Sequence, residues 1–315
     1  MFLRPDNGQN GFMEFEHIFD ELEITTNPFA ICELQGTSNL GLERDASATL
    51  HYILSGEGEI TLRSRAPLRV YRGSLVLIPA LQSHGLHSFG VTSNPVPKCK
   101  PAALSLGHLM ATPDCGGDGQ LIALCAHVDV GLRGVADIID LIREPLIENV
   151  SAPNRMHPAL QTLLYEIANP SLGSRAMIRA LLTQCMIEML RKRLAVSDNA
   201  LHWMAALADP TVWKALRAML DEPGDNHTVE SLADSVGMSR AAFAKRFSSA
   251  YGSGPIELLR DLRMRRAGAL LRDTDFPVKR VAEMVGFTSR SAFSRAFETT
   301  TGQPPREFRA SLLRR

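Results

Sequence analysis

Two different spacings of apolar residues divide the chain. From about Phe29 to Val130, apolar positions come in short runs rich in β-branched and aromatic residues, bounded by Gly and Pro. Ala48-Thr-Leu-His-Tyr-Ile-Leu54 predicts one strand ended by Ser55-Gly-Glu-Gly58, and Glu59-Ile-Thr-Leu62 predicts the next. Arg72-Gly73 predicts a turn into Ser74-Leu-Val-Leu-Ile78, which Pro79 stops. Short strands punctuated in this way predict a β-sandwich or small barrel. From about Val135 to Leu220 the period becomes helical. Val135, Ile138, Ile139, Ile142 and Leu146 fall on one predicted helical face, and Ile178, Leu181, Leu182, Met189 and Leu190 on another. Pro145, Pro153, Pro158 and Pro170 separate the segments.

The last part, from Asp225 to Arg315, contains an internal repeat. Val229-Glu-Ser-Leu-Ala-Asp-Ser-Val-Gly237 recurs as Val278-Lys-Arg-Val-Ala-Glu-Met-Val-Gly286. Phe243, Phe247, Gly252 and Pro255 recur as Phe293, Phe297, Gly302 and Pro305. Each copy predicts a helix, a turn at a glycine with positive φ, and a second helix capped by serine. Leu232, Ala233 and Val236 face inward in the first copy, with Phe243 and Phe247 inward on its second helix. Arg240, Lys245 and Arg246 lie off that apolar face. The second copy leaves Arg290, Ser291, Ser294 and Arg295 facing out. An apolar back with a polar, cationic front is what a helix needs to enter the major groove. Between the copies, Pro255 opens a predicted helix to about Arg272, long enough to set the two second helices about one DNA turn apart.

Charge agrees with that division. Residues 225–315 carry 16 Lys and Arg against 10 Asp and Glu, a net of +6, and the remainder carries 18 against 24. A basic end on an acidic body fits a phosphate-binding module.

The repeat resembles the DNA-binding domain of the AraC/XylS family. The matching residues are Leu232-Ala233, Val236-Gly-Met-Ser239, Arg263-Met-Arg-Arg-Ala267, Val285-Gly-Phe-Thr-Ser289, Phe293-Ser-Arg-Ala-Phe297, Gly302-Gln-Pro-Pro305 and Phe308-Arg309. The resemblance implies base reading from Ala241, Ala244 and Lys245 on the first recognition helix. Two alanines offer only methyl contacts, so the second helix, through Arg290, Ser291, Ser294 and Arg295, is expected to carry more of the specificity. Arg240 and Arg246 complete the candidate DNA-binding set, and Arg246, Lys279 and Arg280 are candidate phosphate contacts.

The front half resembles the cupin-like sensor domains that often precede such a DNA-binding domain, through Leu50-His51-Tyr-Ile-Leu-Ser-Gly56-Glu57 and Gly73-Ser-Leu-Val-Leu-Ile-Pro79 with His84. Many cupins are metal enzymes with a His-x-His pair, a Glu and a later His. Here Ile53 stands where the second histidine belongs, so no metal is expected and His51 reads as a packed, hydrogen-bonded histidine. Arg63, Arg65, Arg69 and Arg72 crowd around a predicted Ser64…Ala66-Pro67 turn, which suits an anionic ligand. Arg65-x-x-x-Arg69 with Asp45-x-Ser47 resembles, in reversed order, the motifs by which PilZ domains bind cyclic di-GMP, although Leu50 stands at the motif's glycine. Asp45, Ser47, Arg63, Arg65 and Arg69 are therefore the candidate effector site, with another anion or a solvated arginine hairpin as alternatives.

Five scattered cysteines, Cys32, Cys99, Cys115, Cys125 and Cys185, with no Cys-x-x-Cys pair, argue against a disulfide framework or zinc ribbon; Cys99, between Lys98 and Lys100, is a candidate redox-sensing thiol. No apolar run spans a membrane and Met1 to Asp6 does not read as a signal peptide, so a cytoplasmic protein is expected. The fold expected is α+β: a cupin-like β-barrel sensor over 1–130, a helical linker and dimerisation region over 131–222, and an all-α double helix-turn-helix over 223–315. The expected function is a homodimeric transcription regulator that binds double-stranded DNA and is gated by a small effector. It is expected to need no cofactor and to catalyse no reaction. The alternatives are a metal-dependent cupin enzyme and a constitutive DNA binder.

Overall fold

A computed structural model describes residues 18–42, 47–62, 65–91, 98–101, 119–132, 138–150, 155–195, 206–207 and 209–312. The chain divides into two compact units. One is formed by 24–129 and 143–196, the other by 1–23, 130–142 and 197–315.

Among the described residues, the first unit is built on a nine-stranded sheet. Its strands are β1 (Leu22–Leu34), β2 (Ser38–Leu42), β3 (Ala48–Leu62), β4 (Arg65–Tyr71), β5 (Ser74–Ile78), β6 (His84–Ser88), β7 (Lys98–Pro101), β8 (Leu121–Leu132) and β9 (Leu146–Asn149). The main order is β2-β6-β3-β8-β1-β7; β4 and β5 also pair with β3, and β9 pairs with β5. The first half of β3 lies between β8 and β5, and its second half between β4 and β6. The core lies beneath this long strand, with Leu34, Ile53, Ile60, Val76, Leu86 and Leu121 fully buried.

The turn expected at Ser55-Gly-Glu-Gly58 does not form. β3 runs through these residues, and its register against β8 shifts between Ile53 and Ser55. Gly56 has φ +81°, and a Cβ there would stand 1.6 Å from the Gln120 carbonyl oxygen. The glycine marks a bulge under a close backbone approach, not a strand end. Of the turn expected at Ser64…Ala66-Pro67, Ser64 lies outside the described residues, and Ala66 and Pro67 lie within β4, not in a turn. That strand pairs only with β3, so Pro67 sits on a sheet edge where a missing N–H is tolerated.

The helical face expected from Val135 to Leu146 is also not formed. Val135 is outside the described residues; Ile138–Leu141 is a short 3₁₀ turn and Leu146 opens β9. Pro145 interrupts the apparent helical spacing between them, and the buried side chains of Ile138, Ile139 and Leu146 serve these shorter elements instead. Two helices of the same unit, α1 (Met156–Ala168) and α2 (Ser174–Ala195), pack on each other. The predicted face of α2 is buried at Ile178, Leu181, Leu182, Met189 and Leu190. Thr26 of β1 donates to the Arg179 carbonyl, while Lys192 and Arg193 pair with the buried Glu148 of β9. Residues 143–196 thus pack with the sheet.

The second unit is helical: α3 (Pro210–Asp221), α4 (Val229–Ser235), α5 (Arg240–Tyr251), α6 (Pro255–Asp273), α7 (Val278–Met284), α8 (Arg290–Thr301) and α9 (Pro305–Leu312). The repeat is realised as α4–α5 and α7–α8, with α6 packed against members of both pairs. Leu232, Ala233, Phe243 and Phe247 are buried in the first pair, Val281, Ala282, Phe293 and Phe297 in the second. Val236 is only half-buried, whereas its counterpart Val285 is fully so.

Candidate nucleic-acid interface and the polar sites of the sensor unit

The two recognition helices begin and end alike. Ser239 accepts from the Ala242 N–H at 3.4 Å and Ser289 from the Ala292 N–H at 3.3 Å, satisfying a donor that each helix start would otherwise leave open. Gly252 and Gly302 close α5 and α8 in the left-handed conformation. Buried phenylalanines at i and i+4 fix the inward face of each helix. The opposite face is left to solvent: Arg240, Ala241, Lys245 and Arg246 on α5 are exposed and Ala244 is half-buried. On α8, Arg290, Ser291 and Arg295 are exposed and Ser294 is half-buried. All nine predicted residues therefore lie on the two outward faces.

Their electrostatic states differ. Arg240 pairs with Glu230 at 2.8 Å, an exposed pair that holds it only weakly. Arg246 is bound to Asp209, the N-cap of α3. Lys245, Arg290 and Arg295 have no ion-pair partner among the described residues, which leaves three cations for a polyanion. Of the candidate phosphate contacts, Lys279 is exposed and Arg280 stands 3.5 Å from Glu283. The spacer α6 has 19 residues, about 28 Å at 1.5 Å per residue. Arg263 on it donates to the carbonyls of Pro223 and Asp225 at 2.8 Å each, tying the loop before α4 to the spacer.

In the sheet unit the candidate effector residues are not brought together as a group. Asp45 and Arg63 lie outside the described residues. Ser47 precedes β3, twelve positions from Glu59, which faces Arg69 across the β3–β4 ladder. That is about 40 Å of extended strand, so Ser47 does not join the arginines. Arg65 and Arg69 are both exposed, but a register shift between Ile60 and Leu62 interrupts the alternation of β4: Arg69 is paired with Glu59 and Arg65 with Leu62, which lie on opposite faces of β3. Arg65 pairs with Glu144 at 3.0 Å. The Arg69 guanidinium lies 5.7 Å from the centre of the Phe89 ring, a cation–π arrangement. Beside them His87 Nδ1 meets Glu59 Oε1 at 3.2 Å and its ring meets Phe89 edge-on.

A second polar site lies deep in the same unit, around His51 and His84, the two histidines on which the cupin resemblance rests. His51 Nε2 and His84 Nε2 are 2.7 Å apart, and His51 Nδ1 is 3.2 Å from Cys125 Sγ. Burial holds both imidazoles below the usual histidine range, furthest in His51, where neighbouring His84 adds to the effect. His51 is thus a packed and hydrogen-bonded histidine, as its sequence context suggested. The cupin ligand pattern is not met: Ile53 is a core residue, and no group of three or more His, Cys, Asp or Glu side chains among the described residues is set to hold a metal ion. Of the partners of His51, His84 is already marked by the cupin resemblance, whereas Cys125, 74 residues away, is brought beside it only by the β3–β8 register. Among the described residues no helix is long and apolar enough to cross a membrane.

Comparison with known proteins agrees with both units. The helix-turn-helix domain family matches residues 232–311, and the cupin family matches residues 15–195. The HTH-type transcriptional regulator AlkR of Acinetobacter baylyi is 27% identical over 299 residues, spanning 93% of this chain and 97% of that protein. An AraC-like transcription regulator of Streptomyces lividans is 34% identical over 152 residues, 48% of this chain and 50% of that one. Among solved structures, the DNA-binding domain of AdpA in complex with a target DNA is 34% identical, covering 34% of this chain and 96% of that one, with a TM-score of 0.33. The chain belongs to the AraC family of DNA-binding transcription regulators, with a cupin domain ahead of its helix-turn-helix domain.

Proposed function

We propose that this regulator is gated by an anionic effector taken up at the exposed arginines of β4, and that cyclic di-GMP is the ligand to test first. The observation that carries this reading is the exposed Arg69 with its guanidinium over the Phe89 ring, and a second exposed arginine, Arg65, at the start of the same strand. Guanidinium binds phosphate through two parallel hydrogen bonds, and an arginine–aromatic platform accepts a base by stacking. Binding would exchange the exposed carboxylate of Glu144 for phosphate at Arg65; Glu59 beside Arg69 opposes an anion and sets a limit on affinity. The effector acts by binding one of two states of a homodimer more tightly than the other, and so shifting the population that holds DNA. The protein uses no other cofactor and is not an enzyme, in keeping with relatives named as regulators.

Fluorescence anisotropy on a DNA fragment from directly upstream of the gene, at one fixed salt concentration, tests this reading. A change in affinity on adding cyclic di-GMP, lost in Arg65→Ala/Arg69→Ala while binding without ligand stays intact, is the expected result. DNA binding that ignores the ligand rejects cyclic di-GMP. A normal response in the double variant removes the β4 arginines from the reading.

A further inference from the structure

Cys125 on β8, Cys32 on β1, His51 on β3 and His84 on β6 meet inside the sheet unit, and neither DNA binding nor the site at the β4 arginines uses them. The two sulfurs lie 3.8 Å apart, and both side chains are fully buried. His84 Nδ1 faces the Gln82 carbonyl oxygen at 3.1 Å. A carbonyl only accepts, so His84 Nδ1 bears the hydrogen, and in a neutral ring its Nε2 is a lone pair. His51 Nε2 must then be the donor to His84, and His51 Nδ1 the acceptor for the Cys125 thiol. The hydrogen-bond network assigns a chain with one direction: Cys125 to His51, His51 to His84, His84 to Gln82. It leads from a buried thiol to a half-buried residue at the rim.

We propose that Cys125 and Cys32 are a redox site, closed to a disulfide by a small two-electron oxidant of the hydroperoxide class with His51 as the base. The Cys125 thiol passes its proton to His51 Nδ1, and the thiolate attacks one oxygen of the O–O bond. Cys125 becomes a sulfenic acid; the leaving oxygen takes the proton from His51 and departs as alcohol or water. The Cys32 thiol then attacks the sulfenic sulfur, the S–S bond forms and one water leaves. Two thiols lose two electrons and the hydroperoxide gains them. The sulfurs must close to about 2.05 Å, and β1 and β8 are already neighbours in the sheet. Burial selects the oxidant: with both sulfurs fully buried, a small hydroperoxide is favoured over a bulky alkylating reagent. A thiol that is simply buried and inert would react with neither.

The test treats the full-length protein with hydrogen peroxide, alkylates it after denaturation, and maps the peptides by mass spectrometry. The expected result is a loss of two hydrogens in the intact mass and a linked pair of peptides carrying Cys32 and Cys125, under conditions where iodoacetamide leaves both unmodified in the folded protein. In Cys32→Ser the same peroxide treatment should leave Cys125 as a sulfenic acid that dimedone, present as the protein is denatured, traps. His51→Gln should slow the linkage about a hundredfold with the far-UV circular dichroism unchanged. Cys99 stands opposite Cys32 in the β1–β7 register; a Cys32–Cys99 link in place of Cys32–Cys125 would overturn the proposal. So would thiols at Cys32 and Cys125 that survive peroxide intact, and that result from the wild-type protein decides the matter even if His51→Gln fails to fold.

Discussion

Arg246 of the first recognition helix donates to both carboxylate oxygens of Asp209, from Nε at 2.7 Å and from Nη2 at 3.1 Å. Asp209 is itself the N-cap of α3, accepting from the backbone N–H groups of Thr211 and Val212 at 2.9 and 3.1 Å. One carboxylate therefore starts a helix and anchors a helix that faces DNA.

Removing that carboxylate should cost stability. Asp209→Ala loses the cap and the ion pair, about 1–2 kcal/mol in a urea melt, and Asp209→Asn should lose less because an amide oxygen still caps. A melt of Asp209→Ala indistinguishable from wild type contradicts the assignment.

The same group sets an acid dependence. Burial raises the Asp209 pKa, but the Arg246 hydrogen bonds and the two backbone donors outweigh it and hold the carboxyl below its ordinary value. A depressed folded-state value means that the stabilisation is present above the ordinary aspartate pKa of about 3.9 and is lost as pH falls through the lower, folded one. The stability difference between wild type and Asp209→Asn should therefore shrink below about pH 4 and stay constant above it. A difference that grows on acidification would contradict this.

The two turn glycines are equivalent in sequence and should differ in tolerance. Both have positive φ, +68° at Gly237 and +77° at Gly286. A Cβ at Gly237 meets nothing within 4 Å, whereas at Gly286 it would stand 2.5 Å from the Gly224 carbonyl oxygen and 2.8 Å from Arg263 Nη2. Gly237→Ala should cost about 1 kcal/mol from backbone strain alone, and Gly286→Ala clearly more, because backbone and not only a flexible side chain must move. Equal losses in thermal melts would mean that the Gly224 contact is not maintained.

Arg295 and Arg246 should separate by sequence dependence. Arg295→Ala is expected to cost about 1–3 kcal/mol at one base position and to relax the preference there. Arg246→Ala should weaken all sequences alike and lower the salt slope by about 1, since its guanidinium is already oriented by Asp209 and reaches phosphate as a charge. The opposite pattern in anisotropy titrations across single-base variants would exchange the two roles.

The helical repeat was legible because its signals are local. Gly237, Ser239, Phe243 and Phe247 lie within eleven residues of one another and recur as a set, and each has the role its spacing implied. What failed depended on distant partners. Gly56 and Gly58 read as a turn because a strand glycine and a turn glycine look alike until Gln120 is found against one of them. Ile138, Ile139 and Leu146 mimic a helical face although they serve a 3₁₀ turn and a strand. Ser47 and Arg69 seemed near because Leu62 and Arg65 are close in sequence, while the length of β3 sets them apart. The bond between Asp209 and Arg246 spans 37 residues and has no periodic trace at all.

Held by α6, α5 and α8 are expected to read one duplex together. Methylation protection of guanine N7 on the bound upstream DNA measures this directly. The expected result is two protected major-groove segments centred about 10 base pairs apart on one face of the duplex, the one facing α8 lost selectively in Arg295→Ala. A single protected segment, unchanged by Arg295→Ala, would contradict it.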